Sequence, residues 1–114
     1  MASVRFWHFR LSDGKGTYAT KGGVTVAAIA LDAGREAFGV SICSLKDTFA
    51  KPRGRAIAQG RAFAAMAARS ACWGHITAPD MFTPSAVAVH AAQAIYRKRF
   101  HGFYRRPTGF CKHA

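Results

Sequence analysis

Residues 37–63 read AFGVSICSLKDTFAKPRGRAIAQGRAF, and the hydrophobic period changes inside this stretch. From 37 to 44 the residues alternate. Phe38, Val40 and Ile42 point one way, and Gly39, Ser41 and Cys43 point the other. A period of two marks a half-buried strand. From Arg53 to about Cys72 the chain is rich in alanine, the best helix former. Pro52 suits the first turn of that helix, with Asp47 or Thr48 as its candidate cap. The stretch therefore divides a chain of strands from a chain of helices.

Upstream, residues 3–11 are aromatic and β-branched, and SDGKG (12–16) is a hairpin signal. TYAT (17–20) reads as the return strand and KGG (21–23) as a break with a candidate bulge. VTVAAIAL (24–31) is a buried strand, and DAGRE (32–36) is a turn. Downstream, Ala56, Gly60, Ala64, Ala67, Ala68 and Ala71 share one broad face of the first helix. After a Gly/Pro-bearing connector, Thr83-Pro84 starts a second helix over 85–100. Its Val87, Ala88, Ala91, Ala92, Ile95 and Tyr96 face the core. Strands followed by helices favour an α+β fold. The expectation is a single domain over 1–114: a three- to four-stranded antiparallel sheet in 1–45, two helices in 46–101 packed on one face, and a basic irregular tail in 102–114. The small face of the first helix is expected against Phe38, Val40 and Ile42.

The charge is extreme for 114 residues: 17 Lys+Arg against 5 Asp+Glu, a formal net charge of +12. Such a balance attracts polyanions. Nucleic acid ranks first, an anionic membrane surface second and an acidic protein third. The longest apolar run is too short to span a bilayer. No segment reads as a signal peptide, and three cysteines make no disulfide framework, so a reducing cytosol fits best.

Two segments carry the candidate contacts. In YRKRFHGFYRR (96–106), Arg97, Lys98, Arg99, Arg105 and Arg106 alternate with aromatics, and no acid follows Asp80. Cations neutralise phosphates, and aromatics such as Tyr104 stack on bases. The competing reading places these cations at a negative helix end, with the aromatics in the core. In KPRGRAIAQGR (51–61), Lys51, Arg53, Arg55 and Arg61 crowd a helix start, where free N–H groups favour an anion. Alternatively Asp47 bridges an arginine of the first turn, and Gly54 and Gly60 serve close packing. Trp7, in SVRFWHFR, is a further stacking candidate beside Arg5 and Arg10.

Other chemistry finds little support. The segment is no P-loop. The five acids (Asp13, Asp32, Glu36, Asp47, Asp80) sit mostly in turns and form no catalytic pair or metal cluster. Cys72 with His75 and Cys111 with His113 lack a zinc-site spacing signature. His8, His90 and His101 read as surface or edge residues. No metal and no cofactor is expected, and no enzymatic activity.

The segment CSLKDTFAKPRGRAIAQGR (43–61) resembles one found in small proteins of bacteriophages and prophages. The resemblance rests on Cys43, Asp47, Phe49, Lys51, Gly54, Arg55, Ile57, Ala58, Gly60 and Arg61, and GGVTVA (22–27) fits the same type. It covers about a third of the chain. It implies a phage accessory protein acting in the cytoplasm of a bacterial host. The expected function is non-enzymatic binding of DNA or RNA. The alternative is a protein-binding inhibitor of a host defence or regulatory complex, of the anti-CRISPR or host-takeover kind. Exposed strand edges also allow a homodimer.

Overall fold

The computed structural model describes residues 3–30, 36–68, 72–73, 83–104 and 111–113, the short segments 72–73 and 111–113 by their backbone alone. Three long strands form the N-terminal half: β1 (Val4–Phe9), β2 (Lys21–Ala30) and β3 (Glu36–Thr48). All pair antiparallel, β1 with β2 and β2 with β3. Helix α1 (Lys51–Ala67) follows, then the two-residue β4 (Cys72–Trp73) and helix α2 (Pro84–Tyr96). A 3-10 turn at Arg97–Arg99 and the edge strand β5 (Cys111–His113) complete the chain. The sheet order is β4-β3-β2-β1-β5, with β4 parallel to β3. The fold is α+β, an antiparallel sheet with two helices.

The helices do not share a face of the sheet. They lie on opposite faces and make three layers. Phe9, Val24, Val26, Ala28, Phe38 and Val40 pack with Val87, Ala88, Ala91 and Ala92 of α2. Phe6, Ala27 and Ile29 pack with Ala58 and Ala62 of α1. The reason lies in β2. Its residues from Gly22 to Ile29 are all buried, so both of its faces need a cover.

The expected partner of α1 is corrected as well. The helix sits on the small face of β3, against Gly39, and leaves Phe38 and Val40 to α2. A Cβ built on Gly39 would run into Ala58 O and Ala62 N, so glycine allows the backbones to touch. The buried stripe of α1 is Gly54, Ala58, Ala62 and Ala65, while Ala56 and Gly60 face outward. Alanines surround this helix on every side, so periodicity alone could not select the stripe.

The boundaries shift in part. Thr83 caps α2, its Oγ1 accepting from the Ala86 N–H at 3.1 Å. The α1 N-cap is Ala50 rather than Asp47 or Thr48, and no side chain caps it. Ile95 is exposed, and α2 stops at Tyr96. TYAT forms no strand: residues 12–20 are a loop held by one Ser12–Tyr18 bridge, and β1 pairs directly with β2. His8 is a core residue. It is buried, with Nδ1 3.0 Å from Thr25 Oγ1. Among the described residues no helix is long and apolar enough to cross a membrane.

Candidate functional site

The glycines of KGG bring three elements together. Gly22 and Gly23 have φ of +76° and +128°, a region that favours glycine. Lys21 pairs with Thr48, and Gly23 pairs with Cys43. Between those pairs β2 has only Gly22, whereas β3 has Ser44, Leu45, Lys46 and Asp47. These four residues form a bulge next to the start of α1, with Leu45 turned back onto the core. Tyr96, at the end of α2, fastens the break. Its hydroxyl lies 3.0 Å from both Gly23 N and Gly23 O, accepts from the Gly23 N–H and donates a short hydrogen bond to Cys43 O. Burial pushes the Tyr96 hydroxyl up to about 12.

The same end of the sheet receives the first turn of α1 and the last turn of α2. Lys51, Arg53 and Arg55 belong to the first two turns of α1, and Arg97, Lys98 and Arg99 form the exposed turn after α2. Because the helices cover opposite faces, the two clusters flank the sheet end rather than merging. Between them lie residues 10–12, the loop after them and residues 102–104. Ser12 N donates to Gly102 O at 3.0 Å and Tyr104 N to Arg10 O at 2.8 Å.

This strip carries aromatic and cationic groups. The Arg10 guanidinium lies 4.7 Å from the Tyr18 ring centroid and 5.2 Å from that of Phe49. Tyr18 meets Tyr104 edge-on at 5.6 Å. Tyr18 is exposed and Tyr104 half-buried. Lys15, Lys21 and Lys46 lie at the same end and are exposed. Two acids are present there. Asp13 Oδ1 accepts the Lys15 and Thr17 N–H groups at 2.7 and 3.2 Å, which closes its own loop. Asp47 lies on the β3 bulge and makes no ion pair with an arginine among the described residues. The expected ion pair of Asp47 with an arginine of the first turn is therefore not formed.

Other candidates are placed differently. Arg61 Nη1 donates to Val40 O at 2.7 Å, so this arginine braces β3 from α1. Trp7 lies mid-strand in β1, half-buried against the α2 layer, with the Arg5 guanidinium 5.2 Å from its ring centroid. Arg5 also pairs with Glu36, away from the basic end. Arg105, Arg106, His75 and the side chains of Cys72, Cys111 and His113 lie outside the described residues. Among those described, no group of His, Cys, Asp and Glu is arranged to hold a metal. Sequence reasoning missed Tyr18, Lys15 and Lys21. Only the pairing of residues 10–12 with 102–104 brings Tyr18 to Tyr104, and no local pattern announces it.

A pocket of about 180 Å³ opens beside the α1 start, lined by Ser41, Cys43, Asp47, Phe49, Arg53 and Ile57 among others. Cys43 Sγ lies 3.3 Å from Asp47 O and 3.7 Å from Thr48 O. Burial, and after it the Asp47 carboxylate, holds the thiol above its ordinary value against the opposing pull of a backbone hydrogen bond and Arg53. The thiol is therefore a neutral lining group rather than an activated nucleophile. Compared with known proteins, the chain matches no family model, no curated protein and no solved structure.

Proposed function

We propose that this protein is a non-enzymatic nucleic-acid-binding protein that contacts its ligand with the basic end of the sheet. The observation that carries the reading is the placement of Lys51, Arg53 and Arg55 on one flank of that end and of Arg97, Lys98 and Arg99 on the other, with Tyr18 and Tyr104 between them. Exposed cations on both flanks suit phosphates, and an exposed tyrosine suits an unpaired base. The resemblance of residues 43–61 to phage proteins supports an accessory role in a bacterial host cell.

The test is fluorescence anisotropy with labelled single-stranded DNA, duplex DNA and RNA over a series of salt concentrations. Submicromolar binding near physiological salt, with preference for one form, is the expected result. Weak binding to all three that vanishes by about 150 mM salt is the behaviour of a nonspecific polycation. That outcome would refute this reading and favour a host-protein inhibitor.

A further inference from the structure

The pocket beside α1 has a floor. Ser41 lies on β3, on the face covered by α1, and is 7% exposed. Among the described residues its hydroxyl makes no hydrogen bond. The residue is buried but its oxygen is not sealed off, so the pocket is where that hydroxyl finds its partner. The register sets Ser41 opposite Thr25, and Thr25 opposite His8. Thr25 Oγ1 already faces His8 Nδ1. Ser41 is the end of this polar row, and it opens to the pocket.

The wall above Ser41 is the start of α1. No side chain caps that helix, and its first turn holds no acid. A Cβ on Gly54 would strike Thr25 Oγ1, so the helix start sits tightly on the polar row. Pro52 has no N–H, so the Arg53 N–H and the helix dipole are what favour an anion there. Arg53 lines the same space, and its charge acts on Cys43 there. Asp47 lines it too and opposes an anion. Cys43 adds no charge, because burial keeps its thiol protonated.

We infer that this pocket takes a phosphomonoester, the terminal phosphate of a nucleic-acid strand, on Ser41, Arg53 and the α1 N-terminus. A group that reaches Ser41 must end there, because the sheet itself closes the pocket. An internal phosphodiester continues on both sides and does not fit a dead end. The pocket volume of about 180 Å³ leaves room for a phosphate and part of its sugar. A terminal phosphate also presents three free oxygens to three kinds of donor. The inference rests on the nucleic-acid reading for the source of its ligand. A mononucleotide carries the same chemistry.

The experiment compares one oligonucleotide with a 5′-phosphate, a 3′-phosphate or hydroxyl ends, by anisotropy at fixed salt. A parallel arm follows thermal stabilisation by a mononucleotide 5′-phosphate. One phosphorylated end is expected to bind about thirtyfold tighter than the hydroxyl end, from charge-assisted hydrogen bonds. Ser41→Ala cuts that preference by about tenfold, one hydrogen bond to a charged group, and leaves hydroxyl-ended binding in place. Asp47→Asn, at an exposed position, raises the preference by removing a like charge. Equal binding of all ends would overturn the pocket and leave the nucleic-acid reading intact. Stabilisation by the mononucleotide, lost in Ser41→Ala, without oligonucleotide binding would keep the pocket and overturn the strand as its ligand. No response in either arm would overturn both.

Discussion

Gly39 in β3 lies directly under the carbonyl oxygen of Ala58 in α1, with no room for a methyl group between them. Gly60, half a turn further along the same helix, has nothing within 4 Å of a built Cβ. The two glycines therefore predict opposite signs. Gly39→Ala forces helix and sheet apart and costs about 1–3 kcal/mol or more. Gly60→Ala gains about 1 kcal/mol of helix propensity. Urea midpoints of the two variants check both values, and a neutral Gly39→Ala would remove close packing as the reason for that residue.

The arginines of α1 separate by task. Arg53→Ala with Arg55→Ala leaves the Tm nearly unchanged and flattens the plot of log K against log salt. The slope falls by about 0.7–0.9 for each phosphate that the variant no longer neutralises. Arg61→Ala does the reverse. It frees Val40 O from its 2.7 Å bond, so it lowers stability and leaves the salt slope alone. Thermal melts and salt titrations of both variants distinguish them.

Arg97 has φ of +55° and ψ of −124°, a conformation that suits glycine. Arg97→Gly is expected to raise the Tm by a few degrees while it weakens polyanion binding. A variant that binds less tightly yet melts higher shows that the weakening does not come from unfolding. A drop in both would place the side chain in a structural role.

Tyr96 gives a pH dependence. Its hydroxyl ionises near 12 in the folded protein, above its ordinary value of 10.0, because burial disfavours the phenolate. The unfolded chain ionises first as pH rises. The contribution of this shift to stability is therefore complete below pH 10 and is lost as pH passes from 10 through 12. Tyr96→Phe is less stable at pH 8, since Gly23 and Cys43 lose their partner, and its stability falls less steeply over that alkaline range. Urea midpoints from pH 8 to 11.5 supply the measurement.

Much of the architecture is legible locally. The alternation of Phe38, Val40 and Ile42 with Gly39, Ser41 and Cys43 marks β3, and Thr83-Pro84 marks the start of α2. The layer order is not legible in that way. It depends on β2, whose Thr25, Ala27 and Ile29 face one helix while Val24, Val26 and Ala28 face the other, and a continuous apolar run hides that division. The basic clusters are visible as composition. Their meeting at one end follows from helix direction, which no single segment encodes. Ser41 looks like one of several small residues on its strand until α1 is laid over it.

The opposite placement of the helices has a consequence for synthesis. On a ribosome, β1, β2, β3 and α1 emerge first and can close one side of the sheet. Val24, Val26, Phe38 and Val40 remain bare until α2 arrives. The closing contact joins Gly23 to Tyr96, 73 residues later in the chain. Nascent protein therefore carries an open apolar face through most of its elongation, and premature termination before Tyr96 yields a half-covered sheet prone to aggregation.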